Sequence, residues 1–208
     1  MAIDKLGIYN NALIQVGESV LTTLTDDRDS RYSLDTVYDL GAVDYCLEVV
    51  KPKFATKTVT LSGGSPHTLP SDFIDFVAVY SDSELDQEIS RYTHESNTVI
   101  SDYDTIYLRY VHNTVTEADF SQGFARVLYL YLGREIAYKF DPDRYASIDT
   151  ALQTAVETVT ANEALKEPGA RPAKEGSELT LSLRTIYNDA LQILSQRKLP
   201  AGDTDHPN

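Results

Sequence analysis

Tryptophan is absent from the 208 residues, and cysteine and methionine occur once each. A single cysteine, Cys46, excludes an internal disulfide, so packing alone must hold the chain together. Set in a helical apolar pattern, Cys46 reads as a small core residue. Long hydrophobic runs are missing too: none approaches the roughly 18 apolar residues that a membrane-spanning helix needs. The opening Met1-Ala2-Ile3-Asp4-Lys5 has no basic stretch followed by an apolar one, so no secretory signal is expected and synthesis in a cytoplasm is. Positive charge is scarce, with 18 Lys and Arg against 32 Asp and Glu and a formal net charge of −14. Between Pro70 and Phe120 stand eleven Asp or Glu and two Arg, a net of −9. Such a segment repels a phosphate backbone and argues against tight nucleic-acid binding, which draws its affinity from Lys and Arg replacing counterions.

What is present suffices for a core. The 42% hydrophobic composition and the length suit one globular domain or two small ones. Ile3, Leu6, Ala12, Leu13 and Val16 recur at helical spacing and Gly17 follows as a stop, which predicts a helix from Asp4 to Val16. After Asp26-Asp27-Arg28-Asp29, Ser30 is placed to cap a second helix, with Leu34, Val37, Tyr38, Gly41, Tyr45 and Val49 on its apolar face and Pro52 at its end.

At Thr58 the period changes to two. Thr58 to Leu61, a Gly63-Gly64-Ser65-Pro66 turn, Phe73 to Tyr80, Glu88 to Thr93, Thr98 to Ser101 and Thr105 to Val111 read as strands of a small antiparallel meander or sandwich. Phe120, Phe124, Leu128, Tyr131, Leu132 and Ile136 then restore the helical period. Asp141-Pro142-Asp143 breaks it before a further helix from about Arg144 to Lys166. Glu167-Pro168-Gly169-Ala170-Arg171-Pro172 is a linker by composition, and Ser177-Glu178 opens a last helical pattern reaching about Arg197. The expected fold class is α+β. Residues 1–57 and 117–167 form an antiparallel helical bundle, 58–116 a β insertion, and 168–208 a linker, C-terminal helix and tail.

Ile8-Tyr9-Asn10-Asn11-Ala12-Leu13 returns as Ile186-Tyr187-Asn188-Asp189-Ala190-Leu191, with five of six residues identical. Shared amphipathic propensity accounts for this by coincidence. A duplicated element accounts for it by descent, and a partial copy cannot bury its apolar face alone, so it must dock on a neighbouring subunit or a partner.

Motifs with chemistry are wanting. His67, His94, His112 and His206 are scattered without metal-ligand spacing. Asp27-Arg28-Asp29-Ser30-Arg31 starts like a calcium loop, but Tyr32 and Tyr38 stand where that loop needs glycine and glutamate. Gly63-Gly64 is no phosphate loop, and there is no Gly-x-Ser-x-Gly elbow. The carboxylates of Asp82-Ser83-Glu84-Leu85-Asp86 read as a solvated acidic face before they read as a glycosidase pair. No catalytic residue, cofactor or metal site is expected. Fourteen tyrosines are the one unusual choice. Tyr103, Tyr107, Tyr110, Tyr129, Tyr131 and Tyr138 gather in the second half, where some fill the core and the rest suit subunit contacts.

Several stretches together resemble the tail tubular protein A family of short-tailed bacteriophages, the head-to-tail adaptors or gatekeepers. They are Tyr9-Asn10-Asn11-Ala12-Leu13-Ile14-Gln15-Val16-Gly17-Glu18 with Leu24-Thr25-Asp26-Asp27, then Phe54-Ala55, Leu69-Pro70-Ser71-Asp72-Phe73, Leu108-Arg109-Tyr110-Val111, and the later helix with Phe124-Ala125, Leu132 and Ile136-Ala137. Pro52-Lys53 stands where many members carry tryptophan. The resemblance implies a structural subunit of the virion neck, made in the host bacterium's cytoplasm. It forms a dodecameric ring that binds the portal protein above and a tail nozzle or other tail component below, and DNA passes through its lumen without specific binding. In that setting Asp82, Glu84 and Asp86 are candidates for an acidic channel lining, and Tyr9, Tyr129, Tyr187 and Leu191 for interface residues. The rival reading is a carbohydrate-binding β module with helical decoration, its tyrosines stacking on sugars.

Overall fold

The computed structural model describes residues 3–165 of the chain. The fold is α+β: helices precede and follow two three-stranded antiparallel sheets. The C-terminal helical pattern, with Tyr187 and Leu191, lies outside the described residues, as does the proposed linker.

Helix α1 spans Lys5–Gln15. The Asp4 carboxylate caps its start by accepting from the Gly7 amide at 2.7 Å, which satisfies one of the amides left without a partner at a helix N-terminus. Its end is a Schellman turn. Gly17 adopts φ 75°, the Glu18 amide donates to the Leu13 carbonyl at 2.9 Å and the Gly17 amide to Ile14, so the expected stop is met. Ile8, Tyr9, Ala12 and Leu13 are buried.

The second expected helix is two helices. α2 covers Asp29–Val37 and α3 Val43–Val50, joined by a widened turn over Tyr38–Ala42 in which Gly41 takes φ 98°. A left-handed residue cannot continue an α-helix, and the apolar face changes phase there. Leu34 is buried before the turn; Ala42 at its end and Cys46, Leu47 and Val50 after it are buried, whereas Tyr45 and Val49, expected inward, are 46% and 40% exposed. Ser30 is not the cap either. Arg28 holds that position, its guanidinium drawn to the Ser19 and Val20 carbonyls, and Ser30 is buried inside the first turn.

Strands β1 (Thr56–Ser62), β3 (Phe73–Tyr80) and β6 (Thr105–His112) form one sheet in the order β1-β6-β3; β2 (His67–Thr68), β4 (Thr93–Glu95) and β5 (Thr98–Ile100) form the other in the order β2-β5-β4. In the first sheet no two consecutive strands are paired, so it is not a meander; in the second, β4 and β5 are consecutive and paired. Glu88 makes only a bridge to Tyr80, anchored by the Ile89 amide on the Val79 carbonyl at 2.7 Å. The strand expected over Glu88 to Thr93 instead starts at Thr93, where the chain leaves the first sheet to pair with β5.

β6 is the strand both cores share. Consecutive side chains of a strand point to opposite faces: Tyr110 joins a β cluster with Ile106, Leu108, Val79, Leu69, Ile89 and Val99, while Val111 joins the helical core. β3 divides its residues the same way, but Phe73, Phe76 and Val79 share a face at spacing three. Register shifts between Phe73 and Asp75 and between Phe76 and Ala78 each add a residue, as bulges do.

Helix α4 (Gln122–Phe140) starts on the Ser121 hydroxyl and supplies the centre of the helical core with Phe124, Val127, Leu128, Leu132 and Ile136. A short turn over Pro142–Arg144 leads to α5 (Tyr145–Leu165), which adds Ile148, Leu152, Ala155 and Val159. Helices and sheets lie in one compact unit, Met1–Ala164. No helix among the described residues is long and apolar enough to cross a membrane.

Candidate functional surfaces

The acidic candidates sit on the loop after β3. Asp82 turns inward: its carboxylate accepts from the Asp86 amide at 3.1 Å and the Gln87 amide at 2.7 Å. These backbone donors, Asp86 first, hold its pKa below the ordinary carboxylate value. Asp82 is thus the brace of a turn in which Leu85 takes φ 62°. Glu84 and Asp86 are exposed. Geometry separates the three: one organises the loop, and two present charge to solvent.

Tyr9 is a core residue, contrary to its place among the interface candidates. It is fully buried, its ring meets Tyr38 edge-on at 5.7 Å and its hydroxyl donates to Asp35 at 2.9 Å. Burial and that carboxylate raise its pKa far above the tyrosine norm. Tyr129 is half-buried and lines a cavity of about 160 Å³ with Ile3, Gly7, Asn11 and Gln122.

Other residues of the opening motif also tie the chain to itself. The Asn10 side chain grips Leu21 at both backbone groups, 2.7 and 3.1 Å. Asp26 accepts from the Thr22 and Thr23 amides and the Thr23 hydroxyl, so its carboxylate braces the turn just before the calcium-like Asp27–Arg31 stretch. Among the described residues no group of three or more His, Cys, Asp or Glu is placed to hold a metal ion.

A polar network that sequence reading missed joins the root of the β segment to the residues just after β6. Asp72 accepts from the Lys57 ammonium at 2.9 Å and the Tyr110 hydroxyl at 2.9 Å. Lys57 also donates to the Thr114 hydroxyl at 2.8 Å, which lies 2.8 Å from His112 Nδ1. The Lys57 hydrogen bond is the main cause of a lowered Asp72 pKa. Desolvation and the Asp72 carboxylate push the Tyr110 phenol up to about 12. Asp72 and Tyr110 stand in two of the stretches that carry the family resemblance, but their meeting required strand pairing that the sequence does not display.

Two aromatic surfaces complete the picture. On the β segment, Phe76 lies 4.7 Å from Phe73, 5.4 Å from Tyr92 and 5.0 Å from His94, with Tyr92 and His94 exposed. On the helices, Tyr45 and Tyr131 pack at 4.8 Å over a groove of about 300 Å³ between α3, α4 and α5. Cys46 lines that groove, its thiol pushed up to about 12 by burial, which keeps it protonated and unreactive. No family model and no curated protein matches the chain.

Proposed function

We propose that the chain is a head-to-tail adaptor of a tailed bacteriophage, a structural subunit that forms a dodecameric ring beneath the portal protein and meets a nozzle or other tail component below. The helices act as an antiparallel bundle, and the two sheets act as a small sandwich inserted between its halves. The carrying observation is that the residues of the family-like stretches occupy the joints of the chain. Asn10 clamps the first loop, Gly17 ends α1, and Asp72 with Tyr110 ties the root of the β segment. A sequence resemblance confined to surface residues would carry far less weight.

In this reading the work is mechanical. Repetition around a ring multiplies modest contacts, and exposed Glu84 and Asp86 on every subunit give the lumen a negative lining along which DNA slides without adhering. The subunit performs no catalysis and needs no cofactor. Native mass of the purified chain, alone and mixed with portal protein from the same virus, tests the proposal: a portal-bound ring is expected, and a chain that ignores the portal refutes it.

The Phe73, Phe76, Tyr92 and His94 patch favours one alternative, a carbohydrate-binding module, because exposed rings stack on sugar faces. Under that alternative the isolated chain binds oligosaccharides in calorimetric titration and Tyr92→Ala abolishes the binding. Under the adaptor reading neither is observed.

A further inference from the structure

The groove between α3, α4 and α5 exposes apolar surface that the described residues leave uncovered. Tyr45 and Val49 form one lip, Val156 lies on α5, and Tyr131 and Leu152 line the interior. Its polar border is acidic: Asp149 and Glu157 line it, and the one cation there, Arg134, is engaged by Glu135 and Asp149. Exposed apolar side chains around a concavity are a surface that a second apolar element can cover.

The same chain carries a segment with the matching character. α5 is a wall of the groove and is followed after Leu165 by 43 residues, 208 less 165. Within them Leu179, Leu183, Ile186, Tyr187, Ala190 and Leu194 recur at helical spacing. From Ser177 to Lys198 there are two acids, Glu178 and Asp189, against Arg184, Arg197 and Lys198. That net of +1 contrasts with −14 for the whole chain and suits an acidic border. These residues lie outside the described ones, and the case for them rests on their sequence pattern alone. The copy of the α1 motif within the segment also has a precedent: in α1 the corresponding Ile8, Tyr9, Ala12 and Leu13 are buried in the core that α4 centres.

We propose that the groove receives residues 177–198 of a second copy of this chain. This inference rests on the ring-forming reading above and names its subunit contact. A ring closes through a heterologous interface, in which one surface meets a different surface of the next subunit. An apolar groove and an amphipathic segment on one chain are such a pair, whereas two concave grooves cannot fill each other.

Two full-length variants test it. Val49→Asp places a charge on the groove lip at a position already 40% exposed, and Ile186→Asp places one on the segment. The unmodified chain is expected to self-associate over a concentration series in native mass measurements, and each variant alone to associate more weakly by upwards of roughly tenfold, since a buried unpaired charge costs well above 1.4 kcal/mol. Mixed in equal amounts, the variants are expected to give a heterodimer and nothing larger, because that pair retains one intact groove and one intact segment. The heterodimer also shows that both variants fold. Tyr45→Ser, on the same lip, is a second groove variant with the same expected behaviour.

Variants that assemble like the unmodified chain, or a mixture of either groove variant with Ile186→Asp that stays monomeric, overturn the inference. An unmodified chain that is monomeric alone yet forms a ring on the portal through other contacts overturns it and leaves the adaptor reading standing. Head-to-tail assembly by a chain that ignores the portal supports the inference and refutes the adaptor reading.

Discussion

Removing the hydroxyl of Tyr9 separates a core role from an interface role. The Tyr9→Phe variant loses the hydrogen bond to Asp35 and keeps the ring, so a loss of about 1 kcal/mol is expected in urea unfolding of the chain. Oligomerisation is expected to change only as far as stability does. A second residue-scale prediction concerns acid. His112 is buried with its pKa held below the ordinary 6.5, first by desolvation and second by the Lys57 ammonium, while Asp72 and Asp119 pull the other way. Protonation is harder in the folded chain than in the unfolded one. The stabilising contribution is therefore complete above about pH 6.5 and is lost as pH falls through the lower folded value. The urea midpoint is expected to decline below about pH 6.5, and His112→Gln is expected to flatten that decline until carboxylates begin to titrate. An unchanged slope in the variant would assign the acid sensitivity to another group.

At the scale of elements, the α2–α3 break decides which side chains the helices bury. A Cβ at Gly41 would meet nothing within 4 Å, yet its φ is +98°, so alanine there is disfavoured by backbone conformation alone. Gly41→Ala is expected to cost about 1 to 2 kcal/mol in thermal or urea unfolding. A gain in stability would mean that the chain relaxes into one continuous helix, turning Tyr45 and Val49 inward. This break also explains why the groove was illegible beforehand. A single 3.6-residue period run from Leu34 through Val49 places Tyr45 and Val49 in the core, and the left-handed glycine rotates the later turns away from that register. The strands show the same limit: the β3 bulges put Phe73, Phe76 and Val79 on one face, where strict alternation would split them.

For the whole molecule, the proposed adaptor role is tested through the exposed acidic side chains of the loop after β3. Lysine at Glu84 and Asp86 is expected to leave thermal stability almost unchanged, since both are exposed, and, under the proposed adaptor role, to slow DNA ejection from assembled particles. Lysine at Asp82 is a different experiment. It removes the acceptor for the Asp86 and Gln87 amides and is expected to disorder the loop, so an ejection defect there would not report channel charge. Unchanged ejection kinetics in the Glu84→Lys, Asp86→Lys double variant would place the loop away from the DNA path.

The α+β class, the first helix with its glycine stop and the Asp141-Pro142-Asp143 break were legible in the sequence. Each depends on a local cause that residue type reports directly: apolar spacing, a left-handed glycine, a missing amide at proline. Tertiary structure alone decided which strands pair, that β6 serves both cores, that Tyr9 is closed inside the fold, and that Asp72, Lys57, Tyr110, Thr114 and His112 form one network. Those outcomes depend on contacts between residues far apart in the chain, such as the 38 positions separating Tyr110 from Asp72, and on backbone irregularities that change the phase of a pattern whose residues remain the same.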